Sequence, residues 1–399
     1  MLFAHFSDCH IGGWKEEKLK DLNMQCFKKA ISMVIERRVD FLLISGDLFN
    51  TALPQIDYIK ECTSELKKLK DLGIPVYMIA GSHDYSPSGK TMLDVLEKAG
   101  LIVNVMNFHE DGTLKFTRDK TGAKITGMLG KKGGLEINDY ETLNTQNLES
   151  EEGFKIFMFH TAINEFKPEG LEDMAGADAA TLPKNFHYYA GGHIHYVFQK
   201  NFGQGVLTFP GALFPNNFKE MEEWQYGGIY FVDENSRWEY VPVKIKDVVT
   251  FSLDVSHLSP EKATEKILQE VHSKEIEDKI ITFRVRGEIE GKVSDINFKE
   301  VLETLSSAYF VLKNTTKLQS KESKDISMKI GTVEEIEQEI LKEHSSEVSM
   351  KEMDKEQQDA FSVQLIHLLN KEREDGEKVS DFEKRILSES LQVFHIETA

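Results

Sequence analysis

The first hundred residues alternate short apolar runs with amphipathic helical stretches, and that rhythm leaves few folds open. Leu2–Ser7, Phe41–Ser45, Val76–Ala80 and Ile102–Val105 are rich in Ile, Val, Phe and Tyr and predict strands. Between them, Leu19–Arg38, Ile56–Leu72 and Thr91–Ala99 have helical periodicity, the last stopped by Gly100 as a C-cap residue. A β-α-β-α order predicts an α/β layer fold in which helices cover a mixed sheet. Further strands are expected at Lys155–Phe159 and His187–Ala190. From Lys115 to Val243 strands dominate, with turns at Asp111-Gly112, Gly203, Gly205 and Gly227-Gly228, as in a second sheet packed on the first.

Residues 1–248 therefore form a first domain. The pattern over 249–313 changes to strand, helix, strand, helix, strand (Val249–Val255, Pro260–His272, Ile280–Arg286, Ile296–Leu305, Tyr309–Leu312), a small α+β module of its own. Polar residues 314–327 predict a linker. Residues 328–399 are highly charged, with helical periodicity in Val333–Glu343, Met350–Glu372 and Phe382–Val393. Phe361, Leu365 and Leu368, followed by Phe382, Ile386 and Leu387, make apolar stripes that suit a partner.

Composition narrows the setting. No apolar run is long enough to span a bilayer, and the start lacks the basic n-region of a signal peptide. Cys9, Cys26 and Cys62 form no CxxC pair, which suits a reducing, cytoplasmic setting without disulfides. The net charge of −19 is a poor match for DNA taken as a whole. From Ser320 onward, however, 11 basic residues against 20 acidic ones account for about half of it. Charge alone neither supports nor excludes a nucleic-acid substrate.

The chemistry-bearing residues fall where the strands end. Asp8 and His10 follow the first strand, Asp47 the second, and Ser82, His83 and Asp84 the third. His160 ends the strand from Lys155, and His193 and His195 follow the one from His187. In open α/β folds such loop ends meet in one crevice. Mixed imidazole and carboxylate donors suit Mn, Fe or Zn better than Ca or Mg. A shared carboxylate such as Asp47 can bridge two ions roughly 3.5–4 Å apart, a spacing that activates water against phosphorus. His83 is the expected proton donor to the leaving oxygen, with Asp84 able to hold its tautomer. Cys9 alternates away from its two neighbours and belongs in a core, and His5 and His187 are expected to be structural.

The ordered set D-x-H, G-D, G-x-H-D, H, G-H-x-H resembles the calcineurin-like metallophosphoesterases. The resemblance implies a four-layer αββα sandwich of two mixed sheets. It also implies one ion held by Asp8, His10, Asp47 and His195, and a second by Asp47, His160, His193 and residue 82. That family has Asn in its third motif where this chain has Ser82, a poorer neutral ligand. His5-Phe-Ser-Asp-Cys-His-Ile-Gly, Ser45-Gly-Asp-Leu-Phe-Asn-Thr and Gly192-His-Ile-His with Phe209-Pro-Gly look like the nuclease subunit of the DNA double-strand-break repair complex. That likeness implies a manganese-dependent 3′-to-5′ exonuclease on duplex DNA and endonuclease on single strands. It further implies a nucleoid-associated homodimer formed through helices of the first domain, a capping role for 249–313, and a tail that binds an SMC-like ABC ATPase. Some members carry a second histidine where this chain has Asn50. Two other readings stay open: a phosphodiesterase or phosphomonoesterase for small molecules, and a DNA and ATPase scaffold with catalysis weakened at Ser82. Lys15, Lys18, Lys90, Lys131 and Lys132 are weak candidates for phosphate contacts.

Overall fold

The computed structural model describes residues 1–87, 89–321, 361, 368, 371 and 379–393. The chain opens with β1 (Leu2–Phe6), α1 (Glu17–Glu36), β2 (Phe41–Ser45), α2 (Ile56–Asp71), β3 (Val76–Ile79), α3 (Met92–Lys98) and β4 (Val103–Asn104). There follow β5 (Thr117–Arg118), β6 (Lys124–Met128), β7 (Lys155–His160), β8 (Tyr188–Gly192), β9 (Val197–Phe202) and β10 (Gly205–Pro210). Helix α4 (Phe218–Glu223) then leads to β11 (Gly228–Asp233) and β12 (Trp238–Pro242).

Two six-stranded mixed sheets result. The first has the order β12-β11-β1-β2-β3-β4 and the second β9-β10-β8-β7-β6-β5. Strands β1 to β4 run parallel, as do β6, β7, β8 and β10, while β11 pairs antiparallel with β1, β12 with β11, β9 with β10 and β5 with β6.

The strand period of two explains why the sheets stack. Phe3, Phe41, Leu43, Tyr77 and Ile79 leave one face of the first sheet and meet Ile125, Ile156, Met158, Tyr188 and Ala190 of the second in one buried core. The alternate residues Phe6, Leu42, Ile44 and Met78 pack under Leu19, Phe27, Ile31, Leu66 and Leu69 of α1 and α2. On the far side, Phe157, Phe159, Tyr189 and Phe209 are covered by Tyr140, Leu148 and Phe166. The expected four layers are present, but the outer cover of the second sheet is made of helical turns only three to five residues long. The cysteines are buried and free.

A third sheet is built by β13 (Val248–Asp254), α5 (Pro260–His272), β14 (Ile280–Ile289), α6 (Phe298–Thr304), β15 (Phe310–Asn314) and β16 (Leu318–Ser320). It has its own core of Phe251, Val255, Ile267, Phe283, Val285 and Val301. One expectation is corrected here. Residues 318–320 fall inside the predicted linker but form β16, paired with β14, because Leu318 is drawn into that core.

In the tail, α7 (Val379–Val393) matches the last expected helix. The stretch Val333–Glu343 lies outside the described residues, as does Met350–Glu372 apart from Phe361, Leu368 and Lys371. No helix among the described residues is long and apolar enough to cross a membrane.

Candidate metal centre

The parallel pairing of β1 with β2 does not stop where the strands do. Asp8 N donates to Gly46 O at 3.1 Å, His10 N to Asp47 O at 3.0 Å and Ile11 N to Leu48 O at 3.1 Å. The two loops are thus held side by side, and their side chains are forced into shared space. The backbone conformation there is costly. Asp8, His10, Asp47 and His193 have φ of 52°, 42°, 52° and 86°, a region that non-glycine residues avoid and that persists only where the surroundings over-determine it. Glycines make the approach possible. A Cβ on Gly46, itself at φ +87°, would lie 2.2 Å from His160 Nδ1, and one on Gly81 would lie 2.2 Å from Asp47 Oδ1.

Three sets of donor atoms converge, each within 4.8 Å: Asp8 with His10 and His195; His10 with Asp47 and His83; Asp8 with Asp47 and His160. Asp47 Oδ2 lies 3.3 Å from His160 Nε2 and 3.6 Å from His10 Nε2. Asp8 Oδ1 lies 3.6 Å from His195 Nε2, which is itself 3.0 Å from His10 Nε2. The Ser82 hydroxyl donates to Asp47 Oδ2 at 3.4 Å. His193 joins differently: its backbone N–H donates to both Asp8 oxygens at 3.1 Å, and its ring stands 5.2 Å from that of His160.

The outer hydrogen bonds decide which imidazole nitrogens face inward. His160 Nδ1 is 2.7 Å from Ser45 O, and His195 Nδ1 is 3.0 Å from a Glu220 oxygen. Both acceptors require an N–H at Nδ1, so each neutral ring turns an Nε2 lone pair toward a carboxylate. Lone pair against carboxylate is repulsive unless positive charge sits between them. His160 Nε2, aimed at Asp47, is buried without a hydrogen-bond partner, a situation that is rare and calls for an ion or a proton.

The protonation balance says the same. Burial opposes the His160 imidazolium, yet Asp47 outweighs it and holds the group up at about 9. Burial also opposes His195, but Asp8 and Glu220 raise it to about 10. Burial keeps His10 and His193 down at about 4. Despite burial, the histidines around them hold Asp8 below its ordinary carboxylate value and Asp47 well below it. A cluster this buried and this hungry for positive charge fits divalent cations.

One expectation changes. Asp84 does not hold the tautomer of His83. Its carboxylate accepts from the backbone N–H groups of Gly81, Leu48 and Phe49 at 3.1, 3.2 and 3.2 Å, tying the loops after β2 and β3 together. His83 Nδ1 instead lies 2.8 Å from Asn50 O. His5 is structural, as expected, bridging the two sheets through Tyr188 and Ser45, both at 2.9 Å. His187 Nδ1 accepts from Lys155 N at 3.2 Å. Cys9 lies in the core. Glu220 was not foreseen, although Asn217-x-x-Glu220 is a capping pattern visible in the sequence.

Buried carboxylates and imidazoles at the strand ends of a two-sheet α/β sandwich are the make-up of a metal-dependent phosphoesterase. Residues 1–197 match the family model described as calcineurin-like phosphoesterase, and this part of the chain is a calcineurin-like phosphoesterase domain. The chain is 25% identical over 368 residues to the DNA double-strand break repair protein Mre11 of Methanococcus maripaludis, covering 88% of this chain and 92% of that protein. It is 29% identical over 253 residues to the protein of the same name from Thermoplasma acidophilum, covering 61% and 65%. The Archaeoglobus fulgidus protein of that name is 25% identical over 397 residues, 95% of this chain and 83% of the relative. Among solved structures, phosphopantetheinyl hydrolase from Mycobacterium tuberculosis aligns with 60% of this chain and 95% of its own, at 13% identity and a TM-score of 0.35.

Proposed function

We propose that this chain is a manganese-dependent DNA nuclease of double-strand-break repair, cutting duplex ends 3′ to 5′ and single strands internally. The observation that carries the reading is Asp47, a buried carboxylate with a ligand-type imidazole on each side, His10 at 3.6 Å and His160 at 3.3 Å. One ion would be held by Asp8, His10, Asp47 and His195, the other by Asp47, Ser82, His160 and His193. Two bound divalent cations supply Lewis acidity toward the phosphodiester and make water nucleophilic near neutral pH.

The chain's own groups do the rest. His83 brings a ring nitrogen within 4.8 Å of donor atoms of His10 and Asp47, within reach of a leaving oxygen, and is assigned the proton transfer to it. Asn50 O orients that ring, and Asp84 keeps the loop that carries it closed. The similarity to proteins named for DNA double-strand break repair, over most of both lengths, favours DNA over a small ester.

The remaining assignments follow the same reading. The third sheet is the capping module, and the tail from residue 328 binds an SMC-like ABC ATPase. Homodimer formation falls to α2 and α3. Leu66, Leu69 and Leu96 are spent in the monomer's own core, whereas Leu53, Ile56 and Val95 stay exposed. Lys18 and Lys131 are engaged by Tyr309 O and Asp139, which leaves Lys15, Lys90 and Lys132 to meet phosphates.

Purified chain incubated with Mn²⁺, end-labelled duplex DNA and a generic nitrophenyl phosphodiester tests the reading. Mononucleotide release from 3′ ends is expected; cleavage of the small ester alone would overturn it.

A further inference from the structure

Helix α4 is one and a half turns long, yet two of its acids are committed in different directions. The Glu220 carboxylate accepts from His195 Nδ1 at 3.0 Å and from Asn216 N at 2.7 Å, while its own N–H donates to Asn217 Oδ1 at 3.0 Å. Glu222 faces the third sheet. Arg284 of β14 reaches it with Nε at 2.9 and 3.1 Å and with an Nη at 2.7 Å, and stacks its guanidinium 4.8 Å over the Phe218 ring. Both partners of this ion pair are largely buried, at 19% and 15% exposure.

Residues two apart on a helix point to different sides, so α4 presents one acid to a metal-ligand histidine and the other to a strand of the small module. A two-pronged guanidinium contact fixes direction as well as distance, which a lysine cannot do. A short helix held at both faces moves as one body.

We infer that α4 couples the small module to the metal centre: Glu220 is a positioning residue that sets the tautomer and aim of His195, and the Arg284–Glu222 clamp sets where Glu220 stands. The seating of the β13–β16 module thereby tunes how tightly the His195 half of the centre holds a divalent cation. The inference rests on the metal-centre reading given above. Carboxylate partners of ligating imidazoles generally act this way, fixing the ring and raising its basicity.

The test is Mn²⁺ titration of the full chain without DNA, reading free Mn²⁺ by its electron paramagnetic resonance signal, with melting temperature recorded in parallel. Wild type is expected to show two sites. Glu220→Gln should weaken one of them by roughly 10–100-fold and leave the other unchanged. Arg284→Glu should weaken the same site, Arg284→Lys should weaken it less, and Arg284→Glu with Glu222→Arg should return it toward wild type. If Arg284→Glu lowers the melting temperature but leaves both Mn²⁺ constants alone, the clamp is only structural and the inference fails. It fails equally if the double reversal restores stability without restoring Mn²⁺ binding. A wild-type chain that binds no Mn²⁺ would instead sink the metal-centre reading itself, a result distinct from either of these.

Discussion

Asp47 stands between two imidazoles while its backbone is held at φ 52°, so in the proposed two-ion centre one side chain and one strained peptide would serve both halves. Asp47→Asn removes the charge that both halves share. It should weaken Mn²⁺ binding by more than the roughly 10–100-fold that loss of an outer partner costs, and nuclease turnover should fall with it; the same titration and a labelled-duplex assay check this. Ser82 makes the opposite case. Its hydroxyl lies 3.4 Å from Asp47 Oδ2 and donates to it, whereas an amide carbonyl would offer a stronger neutral oxygen to a cation. Ser82→Asn is therefore expected to tighten the weaker of two Mn²⁺ sites. Unchanged affinity and unchanged rate would show that Ser82 limits nothing.

Among the elements, the parallel strands and their covering helices were legible because each carries its own period. Phe41–Ser45 was placed to the residue, and the strands flanking it to within one. The burial pattern behind that legibility carries a stability prediction. Leu66 is fully buried between α2 and the first sheet, so Leu66→Ala should cost about 2–5 kcal/mol in urea unfolding. Illegible parts had no period to read. β16 is three residues long and owes its place to one leucine. α4 is six residues, too short for an amphipathic signature, and so Glu220 escaped notice although its cap was written in Asn217. At the site, the strand ends and their order were enough to pick out Asp8, His10, Asp47, His83, His160 and His195, whose donor atoms the fold brings together. The role of Asp84 could not be found in this way, because three backbone donors from two loops claim its carboxylate. That competition exists only once the chain is folded.

For the molecule as a whole, a centre that concentrates buried carboxylates and imidazoles burdens the fold until cations neutralise it. Mn²⁺ at about a hundred times its dissociation constant should add roughly 2.7 kcal/mol of stability per site. Calorimetric melting with and without a chelator measures that gain, and identical melting temperatures would contradict the proposed centre. Truncation after residue 321 should leave nuclease activity on DNA intact and abolish co-purification with the ATPase partner assigned to the tail. Loss of activity on truncation would place part of the nuclease in the tail instead. The left-handed backbone at Asp8 and Asp47 has an evolutionary corollary. Asparagine tolerates that conformation better than most residues and carries no charge to bury. A single Asp→Asn step at either place would silence the chemistry while sparing, even firming, the scaffold. Descendants of such a chain can drift into inert but well-folded binding proteins by one substitution, and only selection for hydrolysis holds them back.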